Sequence, residues 1–361
     1  MKAIRLLATI VTGVMLLCAD AYATEPTPPS QPFKGPGGHD YLHASVSKAR
    51  LGAGADAFWL YTPDEPQPTS APVVVLLHGW GGMDPVSYGG WIEHLARKGN
   101  IVIYPRYQAD LTTPPSEMTD NALDAINNAL AVLQEGEVKP QREHIALIGH
   151  SLGGVIAANL ACEAASGWMP QPKALMVVAP GDSKNTNIAH AFDLAKQVSG
   201  IMRDYGEIPE ETLLLCVVCE EDFLAGTSAA RNIFYGARNV PWRNKDYVIA
   251  KSDRHGSPQL VAGHFAPLAP DEDYREEKRA RLRDRLRDRL GKRLAVAEVM
   301  EAEPVNALDY YCFWKLADAL TAVAFRDELR GFALGGSYDQ KSMGVWSDGI
   351  PVEPLEVTDS P

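Results

Sequence analysis

Long apolar runs are absent from this sequence after its first 23 residues. A spanning helix needs about 20 consecutive apolar residues, so the remainder of the chain offers no stable membrane span. Positive charge is also in short supply. Lys and Arg total 34 against 46 Asp and Glu, a formal charge of −12. That balance suits solubility and argues against a nucleic-acid partner. Cysteine is sparse, with five in 361 residues. No Cys/His spacing resembles a zinc site.

The apolar run that does exist lies at the N-terminus. Lys2 and Arg5 form a charged region, Leu6 to Leu17 is apolar but short, and Ala21-Tyr22-Ala23 matches an A-x-A cleavage site. Residues 1–23 therefore read as a signal peptide, with the mature chain starting at Thr24. Cys18 does not read as a lipidation site, because bulky Leu17 precedes it. The expectation is an exported protein, periplasmic or secreted. Cys162, Cys216, Cys219 and Cys312 survive cleavage, and such a compartment permits disulfides. Cys216 and Cys219 sit three apart on one predicted strand, facing opposite sides, so they should not pair with each other. All four suit buried small hydrophobes as well as any bridge.

About 340 residues remain, enough for one large core or a domain with an extension. Residues 24–38, rich in Pro and Gly, read as a flexible lead-in. Tyr41 to Arg50 and Asp56 to Tyr61 read as antiparallel strands about Gly52-Ala53-Gly54. Strand and helix then alternate. Predicted strands cover Val73 to Leu77, Ile101 to Tyr104, His144 to Ile148, Ala174 to Ala179, Thr212 to Cys219 and Asp246 to Lys251. Predicted helices cover Trp91 to Lys98, Asp120 to Leu133, Val155 to Ala165, Asn187 to Tyr205, Thr227 to Ala237 and Ala307 to Leu329. This alternation means a mostly parallel central sheet flanked by helices on both faces. The domain is expected over residues 39–330, with a charged helical insertion at 271–304 and a C-terminal extension at 331–361. Inside the insertion Leu282, Leu286, Leu290 and Leu294 make a thin stripe on an Arg-rich helix, which reads as a solvated surface element.

One stretch organises the rest. Gly149-His150-Ser151-Leu152-Gly153 follows a buried strand and opens an Ala-rich helix, and G-x-S-x-G in that setting is a nucleophile elbow. The turn is tight, so Gly is wanted on both sides of the serine. The helix that follows leaves Leu152 with a free backbone N–H.

With His78-Gly79-Trp80-Gly81-Gly82 after one strand and GHSLG after a later one, the chain resembles the α/β-hydrolase superfamily. Its serine esterases, dienelactone-hydrolase-like and cutinase-like, are the nearest in character. True dienelactone hydrolases carry cysteine where this chain has Ser151. The resemblance covers roughly Tyr41 to Leu268 and the helix Ala307 to Leu329. It implies a triad in the order nucleophile, acid, histidine. Ser151 is the nucleophile, and Asp222, at the end of Cys219-Glu220-Glu221-Asp222, is the acid. Two histidines compete for the base. His255 sits four residues past Lys251 at a strand end and is favoured on position. His264, in Gly263-His264-Phe265-Ala266-Pro267, resembles the HFAP of some polyester hydrolases but lies about a dozen residues beyond the strand. The oxyanion donors implied are the backbone N–H groups of Trp80 and Leu152. His78 is expected to brace its loop, and Trp168, Tyr88 and Phe223 are candidates for the pocket wall. The implied activity is cleavage of a small-molecule carboxylic ester, with no cofactor and no metal. An inactive binding protein on the same fold, or an acyltransferase, is the alternative. Oligomeric state is open.

Overall fold

The computed structural model describes residues 25–181, 200–271 and 304–361. The expected signal peptide, most of the helix expected at Asn187 to Tyr205 and the Arg-rich segment lie outside them.

Nine strands of the described residues form one sheet. They are β1 (Ser45–Leu51), β2 (Phe58–Asp64), β3 (Ser70–Leu77), β4 (Ile101–Pro105), β5 (Lys139–His150), β6 (Ala174–Val178), β7 (Leu213–Cys219), β8 (Lys245–Ala250) and β9 (Glu356–Thr358). Their spatial order is β1-β2-β4-β3-β5-β6-β7-β8-β9. From β4 to β8 every pairing is parallel, and antiparallel strands close both edges. The parallel strands are apolar without alternation because both faces are covered. All seven residues of β7 are buried. Val73, Val75 and Leu77 enter one core with helices α2 (Pro115–Glu135), α3 (Leu152–Ala165) and α4 (Ser228–Gly236). Val74 and Leu76 enter the other, with α1 (Gly89–Arg97) and α5 (Trp314–Arg326). Cys216 and Cys219 fall in opposite cores, and Cys162, Cys216, Cys219 and Cys312 are free and buried. No helix of the described residues is long and apolar enough to cross a membrane.

The chain leaves β3 toward β4 on one side and leaves β5 toward β6 on the other. That reversal opens a crevice beyond the C-terminal ends of β3 and β5, where open α/β sheets bind ligands. The loop after β3 carries HGWGG, and β5 ends at the elbow. This is the α/β-hydrolase fold.

Two segments pack more tightly than composition suggests. Residues 25–38 are not a loose lead-in. Pro26 O accepts from Ser257 N at 2.8 Å, Thr27 O from Ser347 N at 3.0 Å, and Asp318 on α5 accepts from Gly37 N at 2.8 Å. Proline stiffens an extended strand as readily as glycine frees one. Residues 331–361 are likewise fixed, through α6 (Tyr338–Lys341) and β9. Lys315 Nζ donates to Gln340 O at 2.8 Å and Ser342 O at 2.6 Å, and Asp246 accepts from Gly335 N at 2.7 Å and Gln340 Nε2 at 2.9 Å.

Candidate active site

The elbow forms because glycine makes it possible. A Cβ on Gly149 would overlap the Gly153 carbonyl, and one on Gly153 would overlap the Leu77 and His78 carbonyls. Strand, turn and helix therefore approach at backbone contact. Ser151 sits at φ 55° and ψ −125°, a conformation that costs a non-glycine residue about 1–3 kcal/mol. Its N–H donates to Val178 O at 2.9 Å, which ties the turn to the neighbouring strand. Its side chain is thereby presented above the sheet.

Three side chains meet there. His264 Nε2 lies 2.9 Å from Ser151 Oγ, and His264 Nδ1 lies 2.8 Å from Asp222 Oδ2. The Asp222 side chain is fully buried. Its other oxygen accepts from Leu224 N at 2.9 Å and Ala225 N at 2.8 Å. Burial alone would raise the Asp222 pKa, but the hydrogen bond and charge of His264 and the two backbone donors outweigh it, and the net shift is downward. A carboxylate held in this way fixes the Nδ1–H tautomer of the ring and leaves Nε2 to face the hydroxyl.

The base position expected of His255 is thus occupied by His264. His255 is near its strand end yet away from Ser151, because the intervening chain doubles back. Asp253 and Leu260 form an antiparallel bridge, and Glu221 N donates to Ala262 O at 2.9 Å, so residue 262 has returned to the acid loop. His264 then follows two residues after the one bonded to that loop. His255 lies on the outward limb of that excursion, with Nε2 at 2.7 Å from Asp348 Oδ2 and its ring edge-on to Trp346.

Gly79 packs against Ser151: a Cβ there would sit 3.2 Å from Ser151 Cβ. Trp80 follows it, half-buried against the core, and Leu152 opens α3, among the N–H groups that a helix leaves without an internal partner. Leu152 therefore follows the nucleophile directly in the chain, and Trp80 follows the glycine that packs against it. Gly181 borders it too, with a Cβ position 3.4 Å from Ser151 Oγ. His78 is buried, stacked on Tyr107 at 4.1 Å, with ring nitrogens 2.6 and 2.7 Å from Gly79 O and Arg106 O. Burial pushes its pKa down to about 4. It braces the loop. Of the three wall candidates, Phe223 is exposed beside Asp222. Trp168 lies beyond the far end of α3, about 20 Å along a 14-residue helix from the nucleophile, so it is not a wall residue. Tyr88 is buried beneath the site.

Sequence reasoning passed over His150, the second letter of G-x-S-x-G. It is buried, with Nδ1 at 2.8 Å from Tyr88 Oη and Nε2 at 2.8 Å from His264 O. Its signal was a second polar, ionisable side chain inside the elbow. Among the described residues no group of His, Cys, Asp and Glu is arranged to hold a metal ion.

The Chlorophyllase family model matches residues 40–193. The match takes in HGWGG and the elbow and stops short of Asp222 and His264. No curated protein matches the chain. Among solved structures, carboxyl esterase 2 from the mycorrhizal fungus Tuber melanosporum aligns with 17% identity and a TM-score of 0.44, over 59% of this chain and 77% of that one.

Proposed function

We propose that this chain, an α/β-hydrolase of the carboxylic ester hydrolase class, works through an acyl-enzyme on Ser151 with His264 as the base and Asp222 as the orienting acid. The observation that carries the reading is the unbroken hydrogen-bonded series Ser151 Oγ, His264 Nε2, His264 Nδ1, Asp222 Oδ2. As Ser151 Oγ attacks the ester carbonyl, His264 Nε2 takes its proton. The tetrahedral oxyanion is received by the N–H groups of Trp80 and Leu152. His264 then gives the proton to the departing alkoxide, leaving an acyl-Ser151. Water repeats the sequence, with His264 as base again, and releases the carboxylic acid.

The test uses p-nitrophenyl esters of rising acyl length. Ser151→Ala and His264→Ala should each lose turnover by about a thousandfold or more while remaining folded. His255→Ala should retain kcat within a few-fold. Near-normal turnover by folded Ser151→Ala would end the serine-hydrolase reading, and the reverse order of the two histidines would end the assignment of the base.

The proposal places this activity outside the cytoplasm. Support comes from the charged, apolar and A-x-A succession of residues 1–23. Mass spectrometry of exported protein should find Thr24 as the first residue; retention of residues 1–23 would contradict export by cleavage.

A further inference from the structure

His264 is gripped at two points. Asp222 holds its ring, as the triad requires. The second grip is on its backbone. The His264 carbonyl can only accept, so His150 Nε2 carries the hydrogen and donates to it at 2.8 Å. His150 Nδ1 then presents a lone pair, and Tyr88 Oη donates to it at 2.8 Å. The same Tyr88 oxygen accepts from Gly79 N at 2.9 Å. A relay of three hydrogen bonds runs in one direction from the loop after β3, through Tyr88 and His150, to the backbone of His264. Its middle member is bonded covalently to Ser151.

We propose that His150 is a positioning residue, which registers the His264 backbone and the Gly79-Trp80 loop against the nucleophile. It touches no reacting atom. The ring carrying the relay must be neutral, because a second proton on Nδ1 would face the Tyr88 hydroxyl hydrogen. Burial, followed by the neighbouring His264, pushes the His150 pKa down to about 3, which favours that neutral ring. The turn at 263–268 makes short-range bonds, Gly263 O with Ala266 N at 3.2 Å and Phe265 O with Leu268 N at 2.9 Å, and its flanks are tied through Ala262 O to Glu221 N and Ala269 O to Gly90 N, each at 2.9 Å. To these His150 adds a side chain reaching across from the elbow, the bond that ties the His264 backbone to the residue beside Ser151. Both active-site loops are thereby set from one point, on which the oxyanion donor after Gly79 and the base both depend.

This inference rests on the Ser151–His264–Asp222 reading, and its test separates the two. Turnover by wild type, lost in Ser151→Ala, establishes that reading. In the active protein His150→Phe should lower kcat by about tenfold to a hundredfold with KM within about twofold, since small misplacement of reacting groups costs rate rather than ground-state binding. His150→Gln, whose amide can reach the His264 carbonyl, should recover most of that loss. Tyr88→Phe should lower kcat as well, and the Tyr88→Phe/His150→Phe double variant should be no worse than the poorer single, within about twofold, as expected of residues in one network. A second readout does not need turnover. In the Ser151→Ala background the downfield proton resonance of His264 Nδ1–H, bonded to Asp222, should shift or broaden on adding His150→Phe and return on adding His150→Gln instead. Wild-type kcat and an unmoved resonance in His150→Phe would overturn the proposal. So would equal loss in the Phe and Gln variants, which is the mark of a packing role alone. If His150→Phe does not fold, Tyr88→Phe decides: unchanged kcat there overturns the relay.

Discussion

Two imidazoles buried without a charge partner, His78 and His150, give the molecule an acid-sensitive interior. Their pKa values in the folded state are about 4 and about 3, below the roughly 6.5 of an unfolded histidine. The sign follows from proton counts. Below about pH 6.5 the unfolded chain gains protons that these rings refuse in the folded chain, so stability falls as pH falls until each folded ring titrates. Each contributes up to about 1.4 kcal/mol per pH unit over that interval. Asp222 acts at lower pH, because its pKa is held below the ordinary carboxylate range and the stability its ionised form brings is lost only as the pH falls through that depressed value. Urea midpoints measured from pH 7 to pH 4.5 should fall steadily, and less steeply in His150→Gln. A flat profile in the wild type would mean that these rings take up protons without unfolding.

The element that decides the chemistry is the excursion from residue 252 to 262, together with what lies on it. Asp253 anchors it: one oxygen accepts from His255 N at 2.8 Å, the other from Trp346 Nε1 and Glu353 N, each at 2.9 Å. Trp346 is 1% exposed and packs against Gly256, where a Cβ would meet its ring at 2.7 Å. Trp346→Ala should therefore cost about 3–5 kcal/mol of stability and also lower kcat, because the loop it supports leads into His264. Chemical denaturation and steady-state kinetics on the same preparation check both; an unchanged kcat in a destabilised but folded variant would separate the extension from the site. The same element shows where sequence reading stopped. The elbow and the position of Asp222 were legible because both follow their strands directly, so distance along the chain approximates distance in space. His264 was not, because a bridge between Asp253 and Leu260 cancels most of the residues that separate it from the sheet. The local string HFAP held the better signal, and the favoured His255 belongs to a contact with Asp348 that no periodicity announces.

At the scale of the whole molecule the sheet was the most legible feature. Its buried strands read as continuous apolar runs, and the β/α alternation leaves few topologies. β9 was not, since three residues at an antiparallel edge carry no pattern that distinguishes them from a tail. The two cores also account for the thiols. Cys162 and Cys312 are pushed up to about 12 by burial, and Cys216 and Cys219 rise as well. A chain lacking residues 1–23 should expose these four thiols to an aromatic disulfide reagent only as it unfolds, and reductant should leave Tm unchanged. A Tm lowered by reductant would reveal a bridge that this fold does not contain.

The excursion that seats His264 is covered from both directions: Pro26 and Thr27 run beneath it, and Trp346 and Ser347 lie across it, joined to each other through Ser347 N and Thr27 O. During synthesis the three residues of the proposed triad are therefore made before the segment that covers the histidine loop. A chain halted anywhere between Phe265 and Val345 already has its serine, acid and histidine in sequence, yet lacks the surface on which the histidine loop rests. Trp346, which completes the support of that loop, lies within the last sixteen residues of the sequence, so the proposed triad is the earlier part of this chain and its clasp the later.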